Sequence, residues 1–155
     1  MHLHRYEKIW LSFGITSLIV FLAVLAFTAF AEGHTPPGGI LTVSPESVDQ
    51  VPPFNAPGVY DRGDYVDVYI VGQIFSYNPN RIELPLGKPV HFYVTTKDVV
   101  HSFTIIDTTV NMMLIPGYVN SATYTFEKPG SYLVLCNEYC GAGHQLMQME
   151  VEVKG

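Results

Sequence analysis

The chain has 155 residues, 48% of them hydrophobic, with 8 basic against 14 acidic side chains and a formal charge of −6. That length holds one domain of ordinary size and an appendage. The acidic balance argues against nucleic acid as a partner and leaves a basic protein open, since net charge governs encounter and not identity.

The appendage comes first. Ile9 to Ala31 contains no charged residue, a run of about 23 that at about 1.5 Å per residue exceeds the roughly 30 Å hydrocarbon core of a bilayer. A membrane-spanning helix is expected. A cleaved signal peptide is the competing reading, because Arg5 and Lys8 precede the run and Ala29-Phe30-Ala31 has the A-x-A form, but the run outlasts the roughly 7–15 apolar residues of such a leader. No base follows until Arg62, so the N-terminus is expected in the cytoplasm and the remainder in the periplasm or on the outer face of the cell membrane.

Residues 33–64 follow, rich in proline and glycine: Pro36-Pro37-Gly38-Gly39, Pro45, Pro52-Pro53 and Pro57-Gly58. Proline removes backbone donors, so this stretch reads as a connector over the domain surface and not as a packed element. From Tyr65 the period is two. Val66, Val68 and Ile70 alternate with Asp67 and Tyr69, Phe92 and Val94 with His91, Tyr93 and Thr95, and Leu133 and Leu135 with Tyr132 and Val134. These are half-buried strands. Turn signals at Asn78-Pro79-Asn80, Leu86-Gly87-Lys88-Pro89, Ile115-Pro116-Gly117 and Lys128-Pro129-Gly130 separate them, which predicts an all-β sandwich over residues 65–155 behind a stub and helix at 1–32. In the last strand Met147, Met149, Val151 and Val153 share one face, which puts the Met147 thioether inward at the rim of the core, with Met149 deeper.

The run Cys136-Asn-Glu-Tyr-Cys140-Gly-Ala-Gly-His144-Gln-Leu-Met147 places two thiols, an imidazole and a thioether in one loop, with His101 on an earlier segment. Thiolate and thioether select soft metals and imidazole suits copper, so the set points to copper. A single blue copper uses one cysteine, and the second thiolate suggests a second copper. A disulfide between the cysteines would leave His101, His144 and Met147 without a role, and a Cys2His2 zinc site would waste Met147. Gly141 and Gly143 permit the tight loop. His91 is expected at the surface, and Asp98 either supports His101 by hydrogen bonding or solvates its loop.

The spacing Cys-x3-Cys-x3-His-x2-Met, with His101 in Asp98-Val-Val-His101-Ser-Phe103, resembles the CuA site of cytochrome c oxidase subunit II. Arg5-Tyr-Glu-Lys-Ile-Trp10 and Ser76-Tyr-Asn-Pro-Asn-Arg-Ile-Glu-Leu-Pro85 resemble the short, single-span subunit II of the B-family haem–copper oxidases of thermophiles. The resemblance implies a Greek-key cupredoxin β-sandwich anchored by one N-terminal transmembrane α-helix. It also implies a dinuclear copper held by His101, Cys136, the carbonyl of Glu138, Cys140, His144 and Met147. The implied activity is that of the electron-transfer subunit of a terminal oxidase, taking electrons from cytochrome c and passing them to the haem of subunit I, where dioxygen is reduced to water with proton translocation. The family's tryptophan-rich docking patch is missing, since Trp10 is the only tryptophan; Phe75 and Tyr77 are expected to receive the electron instead. Glu7, in Tyr6-Glu7-Lys8, matches the place where the family opens a proton-uptake channel. The rivals are a nitrous oxide reductase CuA domain, which needs a propeller this length cannot hold, and a membrane-anchored copper-delivery cupredoxin.

Overall fold

A computed structural model of the chain describes residues 4–31 and 41–155. Of the expected connector, the run Pro36-Pro37-Gly38-Gly39 lies outside the described residues. Two compact units are present, Met1–Thr35 and Pro36–Gly155.

The first unit is one α-helix, α1, Arg5–Phe30. None of its residues is buried, and its mean hydropathy over the best window is 2.4, so it is long and apolar enough to cross a membrane. A helix apolar all round is suited to lipid. Two of its hydroxyls bond the backbone: Ser17 Oγ donates to the Gly14 carbonyl at 2.9 Å and Thr28 Oγ1 to that of Leu25 at 3.0 Å. Local acceptors of this kind matter where no water is available. At the start, the Glu7 carboxylate accepts the His4 N–H at 2.7 Å, which satisfies an otherwise orphaned donor at the positive end of the helix dipole.

The second unit is a sandwich of two mixed sheets. One contains β1 (Gly58–Asp61), β2 (Val66–Gln73), β5 (Pro89–Thr96) and β8 (Asn120–Thr125) in that spatial order, with β3 (Ser76–Asn78) also paired to β2. The other runs β4 (Arg81–Pro85), β10 (Gln148–Lys154), β9 (Gly130–Leu135), β6 (His101–Ile105) and β7 (Asn111–Leu114). β2 with β5 and β4 with β10 are parallel; the other pairs are antiparallel. The predicted turns fall between strands, at residues 79–80, 86–88, 115–119 and 126–129.

Between the sheets, Val66, Val68 and Ile70 of β2 and Phe92 and Val94 of β5 join Phe103 and Ile105 of β6, Met112 and Leu114 of β7 and Met149, Val151 and Val153 of β10 in one core. The alternation in β9 grouped Leu133 and Leu135 as the apolar face, and the structure corrects this, because both faces of the strand carry apolar residues and local pattern could not choose between them. The structure turns Val134 inward with Tyr132 against the core, while Leu133 is 43% exposed.

The stretch expected as a surface connector is more than that over residues 41–61. β1 pairs with β2, and a 3-10 helix, Pro45–Gln50, starts with proline at a position that needs no donor. Val43, Val48 and Phe54 form a second apolar cluster with Val71 and Val119 on the outer side of the first sheet, flanked by Tyr69 and Tyr93, whose rings stack at 5.1 Å. The proline count correctly signals missing regular structure, but not missing burial. The apolar side chains between the prolines decide that.

Candidate metal centre

The ligand loop leaves β9 at Leu135 and rejoins the sheet at Gln148. Its neck is closed by the Cys136 N–H donating to the Met147 carbonyl at 3.4 Å, and its far side by a 3-10 turn, His144–Leu146. Gly141 has φ of +128°, a region that disfavours any side chain. Gly143 is required for another reason: a Cβ there would run into the Phe75 ring, which lies over both glycines.

The loop and β6 bring the expected donors together. Among the described residues, ligand atoms of His101, Cys136 and Cys140 lie within 4.8 Å of one another, and all three residues are buried. The two Sγ atoms are 4.0 Å apart, too far for a disulfide. His101 Nδ1 lies 3.9 Å from Cys136 Sγ, and the Glu138 carbonyl oxygen 3.2 Å from the same sulfur. On the other sulfur, His144 Nδ1 stands 3.6 Å and Met147 Sδ 3.8 Å away. Each sulfur therefore has its own imidazole nitrogen and one further weak donor. Six donors exceed the four of a tetrahedral zinc site, and the thioether among them suits copper. Burial, and then the neighbouring Cys136, push the Cys140 thiol up to about 11, so it keeps its proton near neutral pH unless a bound cation displaces it.

His101 is wholly buried and its ring is oriented from behind. Nε2 lies 2.8 Å from Asp98 Oδ1. A carboxylate there accepts a hydrogen bond from Nε2–H and so leaves the Nδ1 lone pair facing the sulfurs, the usual support for a metal-bound imidazole. Asp98 is itself fixed by the N–H groups of Val99 and Ile74 and by the Thr96 hydroxyl. Burial alone would raise its carboxyl, but the His101 ring and then the Ile74 and Val99 N–H groups outweigh it and hold Asp98 below the ordinary range. Of the two roles expected for Asp98, the geometry selects support of His101.

Other sequence candidates separate. Phe75 is partly buried against the ligand loop. Tyr77 is a correction: at 2% exposure it offers no surface to a donor protein, because β3 turns its ring inward, edge-on to Phe103 at 5.7 Å. His91 is half-buried, 3.5 Å from Asp67 and stacked on Tyr65 at 4.8 Å. Met149 sits in the core. Sequence reasoning missed the residues between the ligands. Tyr139 is 80% exposed, Leu146 71% and Ile74 48%, an apolar rim on the loop and beside it. The signal was present: when ligands in a loop turn inward, the residues between them must turn out.

Fold and site together define a metal-binding β-sandwich accompanied by one helix able to span a membrane. Residues 71–154 match the family model described as cytochrome c oxidase subunit II, periplasmic domain. The chain is 39% identical over 154 residues to cytochrome c oxidase subunit 2 of Thermus thermophilus, covering 96% of this chain and 92% of that one. A chain of a heme-copper terminal oxidase dimer solved by cryo-electron microscopy is 30% identical with a TM-score of 0.76, over 97% of this chain and all of that one. The periplasmic domain of subunit II of the Bradyrhizobium japonicum cytochrome oxidase shares the fold, with a TM-score of 0.54 at 22% identity over 57% of this chain and 83% of that domain. The chain belongs to the cytochrome c oxidase subunit II family, and its β domain is a cupredoxin sandwich.

Proposed function

We propose that this chain is the electron-transfer subunit of a terminal oxidase, holding a dinuclear CuA copper that takes electrons from cytochrome c for the haem of subunit I, where dioxygen is reduced to water with proton translocation. The observation that carries this reading is the closed set of six donors around two buried thiols. Copper held there would supply one-electron transfer with little structural change on reduction. The chain's own residues do the rest. His101, Cys136, the Glu138 carbonyl, Cys140, His144 and Met147 hold the ions, and the sandwich rim excludes water from the thiols, each 6% exposed. A copper-delivery protein needs exposed, exchangeable sulfur, so this burial disfavours that alternative. No donor position is left for a substrate, in contrast to catalytic metal sites.

The docking face is the apolar rim of Tyr139, Leu146 and Ile74, with the Phe75 ring beneath, in place of Tyr77. The N-terminus lies in the cytoplasm and the β domain outside, by the charge asymmetry around α1. Glu7 collects protons for subunit I in addition to capping α1. Glu7→Gln should cut oxygen consumption of the complex while leaving its copper content unchanged, and unaltered turnover would leave the cap as its role.

The central test uses the full chain in detergent loaded with copper. Two coppers per chain and a paramagnetic resonance pattern of one electron shared by two copper nuclei are expected. A mononuclear pattern at full loading overturns the reading. Purification from its source should bring along a multi-span haem protein, and a chain isolated alone under gentle detergent would favour a free carrier.

A further inference from the structure

Ser102 follows His101 on β6 and is 4% exposed. β9 pairs with β6 only at Thr104 and Ile105, then peels away into the ligand loop. In an antiparallel ladder alternate residues aim their backbone groups at the same neighbour, so Ser102 points its N–H and carbonyl where β9 no longer lies. Those two groups are not left empty. The N–H donates to Cys136 Sγ at 3.5 Å, and the carbonyl accepts the Tyr77 hydroxyl at 2.5 Å. The side chain completes the set, with Oγ accepting the Asn137 N–H at 2.5 Å. Asn137 is tied once more to β6 through Nδ2 to Thr104 Oγ1 at 3.1 Å.

Three bonds therefore converge on one residue, and each has a different target: a sulfur donor, the backbone beside that sulfur, and a buried phenol. Tyr77 can serve this purpose because it is buried. Its ring is fixed edge-on against Phe103, and that placement aims its hydroxyl at the Ser102 carbonyl, to which it donates.

We propose that Ser102, locked in place by the Tyr77 hydroxyl, is a positioning residue that sets the donor strength of Cys136 toward copper. This rests on the copper reading above. A hydrogen bond to a thiolate draws charge off the sulfur, weakens its donation and favours the reduced metal, so losing or lengthening it lowers the reduction potential. The Asn137 bond holds the sulfur's own backbone at the distance where this contact forms.

The test compares the parent full chain, loaded with copper in detergent, with Tyr77→Phe, Ser102→Ala and Thr104→Val. Tyr77→Phe and Ser102→Ala should keep two coppers per chain, lower the midpoint potential and move the sulfur-to-copper absorption band. Thr104→Val breaks the outer link to Asn137 and the hydroxyl's own bond to Asn111, and should leave potential and band at the parent values. A parent-like potential and band in Tyr77→Phe overturns the proposal even if that variant melts earlier, because a purely structural role lowers melting and nothing else. If Tyr77→Phe does not fold, an unmoved potential in Ser102→Ala overturns it by itself. A parent chain lacking the shared-electron signal refutes the copper reading, whereas an intact parent signal with unmoved variants refutes only the role of Ser102.

Discussion

The ligand loop from Cys136 to Met147 and the stretch from Val43 to Phe54 both lie on the same sandwich without strand structure, and they are held by opposite chemistries. The stretch is anchored by Val43, Val48 and Phe54, which are buried against the first sheet. The loop also sinks Cys136, Cys140 and Met147 into the core, but its placement is set by polar contacts that reach it from Ser102 and Thr104, and the side chains between its ligands point to solvent. Apolar burial is strong and undirected, so it supplies stability and tolerates small shifts. Hydrogen bonds contribute less net free energy but fix distance and angle. A region that must only stay attached can use the first, and a region that must place sulfur atoms needs the second.

Substitutions should separate the two holds. The largest effect is expected for Cys140→Ser, which removes one of the two buried thiols of the proposed copper site: the shared-electron signal should vanish and copper content should fall below two per chain. Retention of both coppers would show that the loop's geometry, and not its thiol pair, builds the site. Phe54→Ala is the counterpart in the other region. Loss of a buried phenyl costs about 3–5 kcal/mol, so denaturant unfolding should shift by that order while copper stoichiometry and spectrum stay at parent values. A changed copper spectrum in this variant would break the comparison, because the two anchors would then be coupled.

Met147→Leu sharpens it from the loop side. The swap nearly conserves volume and should cost under about 1.5 kcal/mol, with copper retained and the potential raised by loss of a donor that favours the oxidised metal. Complete copper loss would give Met147 a holding role instead. The smallest effect is expected from the surface. The Gly63 N–H and then Lys88 lower the Asp61 carboxyl, and Lys154 lowers that of Glu83. Because the folded values lie below the unfolded ones, the stabilisation is present above about pH 4–5 and is lost as pH falls through the lowered values. It should also fade with salt. Acid titration of the melting temperature in low and high salt checks this, and equal profiles would show that these pairs contribute nothing.

Much of the architecture was legible because it is written in local periodicity. The uncharged run predicts α1, and the period-two parity of the last strand places Met147, Met149, Val151 and Val153 inward, where the structure has them. Reading failed where two segments distant in sequence meet. Tyr77 looked like a surface aromatic because β3 spans only Ser76–Asn78, too short to show a parity of its own. The proline-rich stretch looked like a connector because its burial depends on the far side of β2, Tyr69 and Val71, which no local pattern reveals.

The sequence by itself determined a helix apolar enough to cross a membrane, the β class and the family, and it offered His101, Cys136, Cys140, His144 and Met147 as candidate donors, because each of these readings rests on residue type and local pattern. Only the tertiary structure decided how those residues face one another and what holds them. The aim of the His101 ring by Asp98, the bond from Ser102 to the Cys136 sulfur and the inward turn of Tyr77 all join residues more than a strand apart or set by side-chain direction. Hydrogen bonds act through distance and angle at the ångström scale, and the chain settles those only when its sheets close around the core.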